Sequence, residues 1–197
     1  MSAVLKLFPA LPPVDRDAVL RYARGKHTDE IDALLLPIEE EAAGATDARL
    51  CYVEVPVTIS GTTVDFSVCR AESAALCDHL AGCPRAVLFA ATVGAGADRM
   101  IARAGRSSPL RALLLDALFT ERIEALCDVF TSRYTEKHRR FSPGYGDLPL
   151  AFQKDLFRVL DCPRVIGLSL SDALLMIPSK SVTAIIGIPP KQTTPLS

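Results

Sequence analysis

The sequence loses both helical and strand periodicity at one loop, Arg140-Phe141-Ser142-Pro143-Gly144-Tyr145-Gly146-Asp147-Leu148-Pro149. Its two prolines restrict the backbone, and its two glycines permit left-handed conformations and the close approach of a ligand. Arg140 supplies a planar, permanently charged guanidinium that suits a carboxylate. This composition is typical of a surface turn between helices. The same residues could also make a rigid pocket lip for a ligand with a carboxylate and a flat ring.

Composition places the loop in an ordinary globular protein. The 197 residues are 49% hydrophobic and 23% charged, which indicates one domain, and 22 basic residues against 23 acidic give a net charge of −1. We therefore expect no nucleic-acid partner. We also expect no membrane partner and a cytoplasmic protein, because no apolar run could cross a bilayer and the first residues are too weakly basic for a signal peptide.

The cysteines are scattered and contain no C-x-x-C pair: Cys51, Cys69, Cys77, Cys83, Cys127 and Cys162. This spacing predicts reduced, mostly buried thiols and no metal site. No Ser-His-Asp set, fixed carboxylate pair or P-loop motif is recognisable, so the residues by themselves indicate no hydrolase or nucleotide-cleaving chemistry.

The chain before the loop alternates between helices and strands. Helices are predicted from about residue 18 to 24 and after Thr28, a strand begins at Arg49, and Ser73 caps a short helix. The apolar run Arg85–Val93 predicts a strand that is buried on both faces. Gly94-Ala95-Gly96-Ala97-Asp98-Arg99 follows it. This stretch lacks the third glycine of a dinucleotide fingerprint, but its N–H groups could still meet a polar ligand group.

The longest helix is predicted from Leu110 to beyond Arg133, with Pro109 at its first position. Glu124 and Asp128 lie four residues apart on one face of this helix. They form either a solvated stripe or the acid that receives the amino group of a ligand.

A further helix is expected at Leu150–Leu160 after the loop. Strands are expected at Val165–Leu170, Leu174–Pro178 and Val182–Ile188. Because no βαβ unit repeats, we predict a single α+β domain with a bent, largely antiparallel sheet flanked by helices, including one long central helix. Residues 1–45 would form an N-terminal helical segment that packs on a core of residues 46–197, and the two would form one structural unit.

Three blocks of this sequence resemble the S-adenosylmethionine-binding activation (reactivation) domain of cobalamin-dependent methionine synthase, and in particular its short stand-alone members. The first is an R-x-x-x-G-Y motif at Arg140–Tyr145. The others are Ile166–Pro178 and Ser181–Ile185, in the order and spacing of the family, and the resemblance extends over about Val53–Ile188. The chain has no D-x-H-x-x-G cobalamin motif, and it has Ile185-Ile186 where the synthase has an aromatic residue.

The resemblance implies an accessory protein that binds S-adenosylmethionine, inactive without its partner. It would support the reductive methylation of cobalamin held by a methionine synthase module or another corrinoid protein, with an electron from a flavodoxin-like donor. Arg140 would meet the methionyl carboxylate, Ser142, Pro143 and Gly144 would line the pocket, and Tyr145 would close over the nucleoside. Glu124 is our own candidate for the amino group and is not carried over from the family. A self-sufficient small-molecule methyltransferase and a ligand-free structural or regulatory partner of a corrinoid system stay open as alternatives.

Overall fold

The computed structural model describes residues 3–134 and 140–190. Its strands are β1 (Leu5–Leu7), β2 (Arg49–Pro56), β3 (Thr58–Ser60), β4 (Thr63–Asp65), β5 (Arg70–Glu72), β6 (Arg85–Thr92), β7 (Ser169–Leu170), β8 (Met176–Ile177) and β9 (Ser181–Ile188). Its helices are α1 (Arg16–Ala23), α2 (Asp29–Ala45), α3 (Ala74–His79), α4 (Ala95–Gly105), α5 (Pro109–Thr131), α6 (Gln153–Leu160) and α7 (Cys162–Ile166). A short 3-10 turn, Leu150–Phe152, precedes α6.

The main sheet has four antiparallel strands in the order β1-β2-β6-β9. Strand β6 pairs along its whole length with β2 on one side and β9 on the other. Two smaller antiparallel sheets, β3-β4-β5 and β7-β8, complete the strands of the described residues. Since β6 is central, its side chains are buried on both faces, which explains its unbroken apolar sequence.

Successive side chains of β6 enter two different hydrophobic cores, because a strand alternates between the faces of its sheet. Val87 and Phe89 face a core built with α1, α2, α4 and α5. Leu88 and Ala90 face a second core, which contains residues of α3, α6 and α7. The predicted α+β fold with a largely antiparallel sheet and one long, central helix is therefore confirmed.

A buried ion pair holds the N-terminal segment against α5. Glu121 and Arg122, neighbours on α5, bind each other, and their side chains are only 6% and 7% exposed. Arg122 also donates to the carbonyl oxygens of Pro12 at 2.6 Å and Pro13 at 3.2 Å. Glu121 accepts the backbone N–H of Asp15 at 3.3 Å. The segment that leads into α1 is thus fixed by charged groups that are almost completely buried.

One predicted strand was wrong in most of its length. Within Val165–Leu170, the first two residues belong to helix α7, and only Ser169 and Leu170 form a strand. Pro163 suits the first turn of a helix, and Gly167 ends it in the left-handed conformation at φ 67°. The apolar run is a one-turn helix followed by a turn, and apolar content alone does not separate the two. Helix α5 also ends at Thr131, before the predicted Arg133.

All six cysteines are free thiols, and four of them are buried. No group of three metal-ligating side chains within residues 3–134 and 140–190 is arranged to hold a metal ion. Over the same ranges, no helix has the length and apolar character needed to span a bilayer.

Candidate functional site

The loop that begins at Arg140 lies at the free edge of the main sheet. Phe141 donates its N–H to the carbonyl of Ile185 on β9 at 2.9 Å, and Ile185 donates back to Phe141 at 2.8 Å. Two residues later, Pro143 lacks the N–H that would continue this pairing. The chain therefore touches β9 at a single bridge and then turns away, which leaves Arg140 at the sheet edge beside α5.

Hydrogen bonds within the loop fix its course. Gly144 donates to the carbonyl of Leu148 at 2.9 Å, Leu148 donates to Tyr145 at 3.0 Å, and Tyr145 donates to Ser142 at 3.0 Å. Gly144 has φ 91°, in the region that favours glycine. Because Leu148 is buried in the second core, the tip of the loop is anchored at both ends.

Asp147 ties the far end of the loop to helix α3. Its carboxylate accepts the N–H groups of Ala74 at 2.8 Å and Ala75 at 3.2 Å and the hydroxyl of Ser73. These hydrogen bonds lower the pKa of Asp147, and the one from Ser73 contributes most. Gly146 beside it has no room for a side chain, since a Cβ would lie 2.7 Å from the Cβ of Ala75. The loop thus supplies a cap for a helix that lies more than 70 residues earlier in the chain.

Arg140 lies between two carboxylates of α5. Its Nη2 is 2.6 Å from Glu124 Oε2 and 3.3 Å from Asp128 Oδ1, and the side chain is 18% exposed. Its Nη1 is buried without a hydrogen-bond partner among the described residues. Burial raises the pKa of the neighbouring Cys127 thiol to about 12, so this thiol stays neutral at physiological pH. Because Nη1 is buried beside Cys127, the 18% exposure of Arg140 lies on the other atoms of its side chain.

This arrangement is suited to a zwitterion. A partly exposed guanidinium can bind a carboxylate through charge-assisted hydrogen bonds. Glu124 and Asp128 together carry one more negative charge than Arg140 balances, and both are accessible to solvent, so they can bind an ammonium group. The structure places Arg140 in direct contact with Glu124 and Asp128, the two acids that the sequence offered for the amino group of a ligand.

The remaining predicted residues lie within the loop itself. Tyr145 is exposed, with its ring 6.1 Å from that of Phe141 in an edge-to-face arrangement. Ser142 is half-buried and accepts the Tyr145 N–H, Pro143 is buried, and Gly144 is exposed. Tyr145 is thus free to cover a flat ligand group, while Ser142 and Pro143 shape the backbone beneath it.

The glycine turn at Gly94 serves packing between helices. A Cβ on Gly96 would lie 2.0 Å from the carbonyl oxygen of Ala45 at the end of α2, and one on Gly94 would lie 2.9 Å from Asp47. The start of α4 is therefore pressed against the chain that leaves α2. The N–H of Gly94 is bonded to the Thr92 hydroxyl at 3.1 Å, and a ligand contact of the other N–H groups of this turn stays a prediction.

A separate cleft of about 490 Å³ lies between residues 8–14, α2 and α5. Its charged side chains Glu39, Asp47 and Arg122 each have an ion-pair partner: Arg16, Arg49 and Glu121. Its charged groups are therefore matched one to one, whereas Arg140 faces two carboxylates, and the loop at the sheet edge is the stronger candidate site.

Comparison with known proteins shows a similarity in fold to solved structures. No family model matches the chain, and no curated protein sequence matches it. Among solved structures, the fold is similar to the MetH reactivation domain bound to AdoHcy, with a TM-score of 0.74. The alignment covers 98% of this chain and 80% of that domain at 12% sequence identity. At this identity the likeness establishes a shared fold.

Proposed function

We propose that this protein binds S-adenosylmethionine at Arg140, Glu124 and the loop Ser142–Tyr145, and presents it to cobalamin carried by a partner protein. The observation that carries the proposal is the partly exposed Arg140 side chain, which lies against two accessible carboxylates at the start of a hydrogen-bonded loop. The fold shared with a domain whose structure contains AdoHcy supports the same class of ligand.

The charges of the site match the amino-acid end of this ligand. The methionyl carboxylate would bind Arg140, and its ammonium group would bind Glu124, so that each ligand charge replaces part of the existing Arg140–Glu124 contact. Tyr145, exposed at the loop tip, would lie over the nucleoside. An amino acid without a nucleoside would fill only the charged half of the site.

In the proposed reaction, this protein holds the ligand in position and supplies no general acid or base. When bound, S-adenosylmethionine would supply a methyl group to the cobalt of the partner's cobalamin, once a flavodoxin-like donor has reduced that cobalt by one electron, and S-adenosylhomocysteine would remain. Arg140 and Glu124 hold the amino-acid end, and the hydrogen-bonded loop holds the nucleoside. Fixing the ligand in this way removes translational and rotational freedom before the partner arrives, which is a large source of rate enhancement.

Calorimetric titration of S-adenosylmethionine tests the site. Replacing Arg140 by Ala removes a charge-assisted contact that is worth about 1.5–3 kcal/mol, so binding should weaken roughly 10- to 150-fold. Arg158→Ala is the matched control, because Arg158 also pairs with an acid but is mostly exposed on α6. Equal affinity of wild type and Arg140→Ala would place the ligand elsewhere.

A second experiment separates the accessory role from the alternatives. The protein is incubated with S-adenosylmethionine, a cobalamin-carrying methionine synthase module and a reduced flavodoxin, and S-adenosylhomocysteine is measured. We expect release only when all components are present. Release with a small-molecule acceptor alone would indicate a self-sufficient methyltransferase. Absence of binding by the folded wild type would favour a structural partner.

A further inference from the structure

The outer face of helix α2 is acidic at its ends and apolar in its middle. Exposed side chains follow one another along this face at intervals of four, three and four residues: Asp29, Ala33, Leu36 and Glu40. Steps of three and four residues stay on one side of a helix, so these side chains form one stripe. Glu30 is exposed beside the stripe, and Leu36 is 52% exposed. In the part of the chain that the structure describes, Asp29, Glu30 and Glu40 form no ion pair.

The outer face of helix α4 is basic. Arg99, Arg103 and Arg106 are exposed and are spaced by four and three residues. Arg106 directly follows the helix and keeps a helical backbone at φ −80° and ψ −21°, so it continues the stripe. The opposite face of α4, with Met100 and Ala104, is buried in the first core. Among the side chains of residues 3–134 and 140–190, Arg99 and Arg106 have no carboxylate partner.

Helices α2 and α4 lie side by side and run in opposite directions. Arg103 Nη2 is 3.9 Å from Glu41 Oε2, and the Gly96 backbone meets the carbonyl of Ala45. Position 41 precedes 45, whereas position 103 follows 96, so the two helices are antiparallel. At about 100° per residue, both stripes are rotated in the same sense from these contacts, and in antiparallel helices this places them on the same side. The two stripes therefore form one surface, which we call the α2–α4 surface.

A surface that carries both signs side by side is complementary to a second copy of itself. A two-fold axis between the helices sets α2 of each copy on α4 of the other, so that each acidic stripe meets a basic one. A partner of a single charge sign would be repelled by one of the two helices. A membrane would need an apolar helix face, and the apolar face of α4 is packed in the core.

We propose that this protein forms a two-fold symmetric dimer through the α2–α4 surface. The 17 residues of α2 span about 25 Å, and two helices side by side are about 20 Å wide, which gives roughly 500 Å² on each copy. The total of about 1,000 Å² is at the lower limit of a specific interface, so the dimer is weak and depends on its charges. The surface shares no residue with the candidate ligand site, and its test is independent of the proposed function.

Sedimentation velocity tests the dimer. We expect the average mass of the wild type to rise toward that of two chains between about 1 μM and 1 mM, where an interface of this size dissociates. Added salt should lower it. Two variants reverse charges that have no partner, Glu30→Lys/Glu40→Lys and Arg99→Glu/Arg106→Glu, and each should raise the dissociation constant at least about 10-fold. An equimolar mixture of the two variants should dimerise again, because each reversed helix then meets one of opposite charge.

Arg158→Glu/Arg164→Glu is the matched control, since it changes the net charge equally on α6 and α7 and should leave association unchanged. Thermal melting confirms that each variant is folded. Wild type that stays monomeric over the whole concentration range would overturn the proposal. So would a mixture that remains as monomeric as its two components, or a control that dissociates as much as they do.

Discussion

Removing the cation of the buried Glu121–Arg122 pair should destabilise the protein strongly. In Arg122→Met, the Glu121 carboxylate is left in a position that is only 6% exposed, and the carbonyls of Pro12 and Pro13 lose their donor. Breaking a buried ion pair in this way costs about 3–5 kcal/mol. This is a large part of the 5–15 kcal/mol that typically stabilises a native protein.

Thermal and urea unfolding of Arg122→Met measure this cost. For a protein of this size, 3–5 kcal/mol corresponds to a fall in Tm of about 6–20 °C. The double variant Glu121→Gln/Arg122→Met should unfold at a higher temperature than Arg122→Met, because no charge remains buried. Arg158→Met removes an exposed cation from a pair on α6, and should change stability by less than about 1 kcal/mol.

The reasoning would be refuted if Arg122→Met were as stable as the Arg158→Met control. That result would mean that water reaches Glu121 and that the N-terminal segment is held by apolar contacts alone. A double variant less stable than the single one would also contradict it, since the carbonyl contacts would then outweigh the unpaired charge.

Two further predictions concern His27 and Gly96. The ring nitrogens of His27 are 2.8 Å from Asp17 and 2.9 Å from Asp32, and only an imidazolium can donate to both, so the bonds to Asp17 and then Asp32 raise its pKa. The stabilisation is therefore complete below the unfolded pKa of about 6.5 and lost as pH rises through the higher folded value, and His27→Gln should flatten Tm against pH there. Gly96→Ala should cost about 1–3 kcal/mol in urea unfolding, because its Cβ meets the end of α2, whereas Gly105→Ala, with open space around it, should be neutral.

Much of the fold could be predicted because its signals are local. Helices α2, α3 and α5 begin directly after Thr28, Ser73 and Ser108. Each of these side chains accepts the N–H of the residue three positions later, as an N-cap residue does. The apolar run of β6 correctly predicted a strand that is buried on both faces. The segment Val165–Leu170 failed because a short apolar run fits a strand or a helical turn equally, and Gly167 decided between them.

The candidate site could likewise be predicted only in part from the sequence. The prolines, glycines and arginine of the loop were sufficient to indicate a rigid lip with a carboxylate-binding cation. Glu124 was a candidate only because it lies on one helical face with Asp128, and their contact with Arg140 appears only when α5 and β9 pack side by side. The helix cap that Asp147 provides had no signal in the sequence, since nothing near Asp147 indicates α3.

The sequence by itself determined which segments form helices and strands and which loop is chemically unusual, because caps, turn residues and apolar periodicity act over a few neighbouring residues. The tertiary structure alone decided what surrounds Arg140. Its two carboxylates come from helix α5, 12 and 16 residues earlier in the chain. Contacts of this kind are set by the packing of helices on a sheet edge, and local sequence carries no information about which side chains that packing brings together.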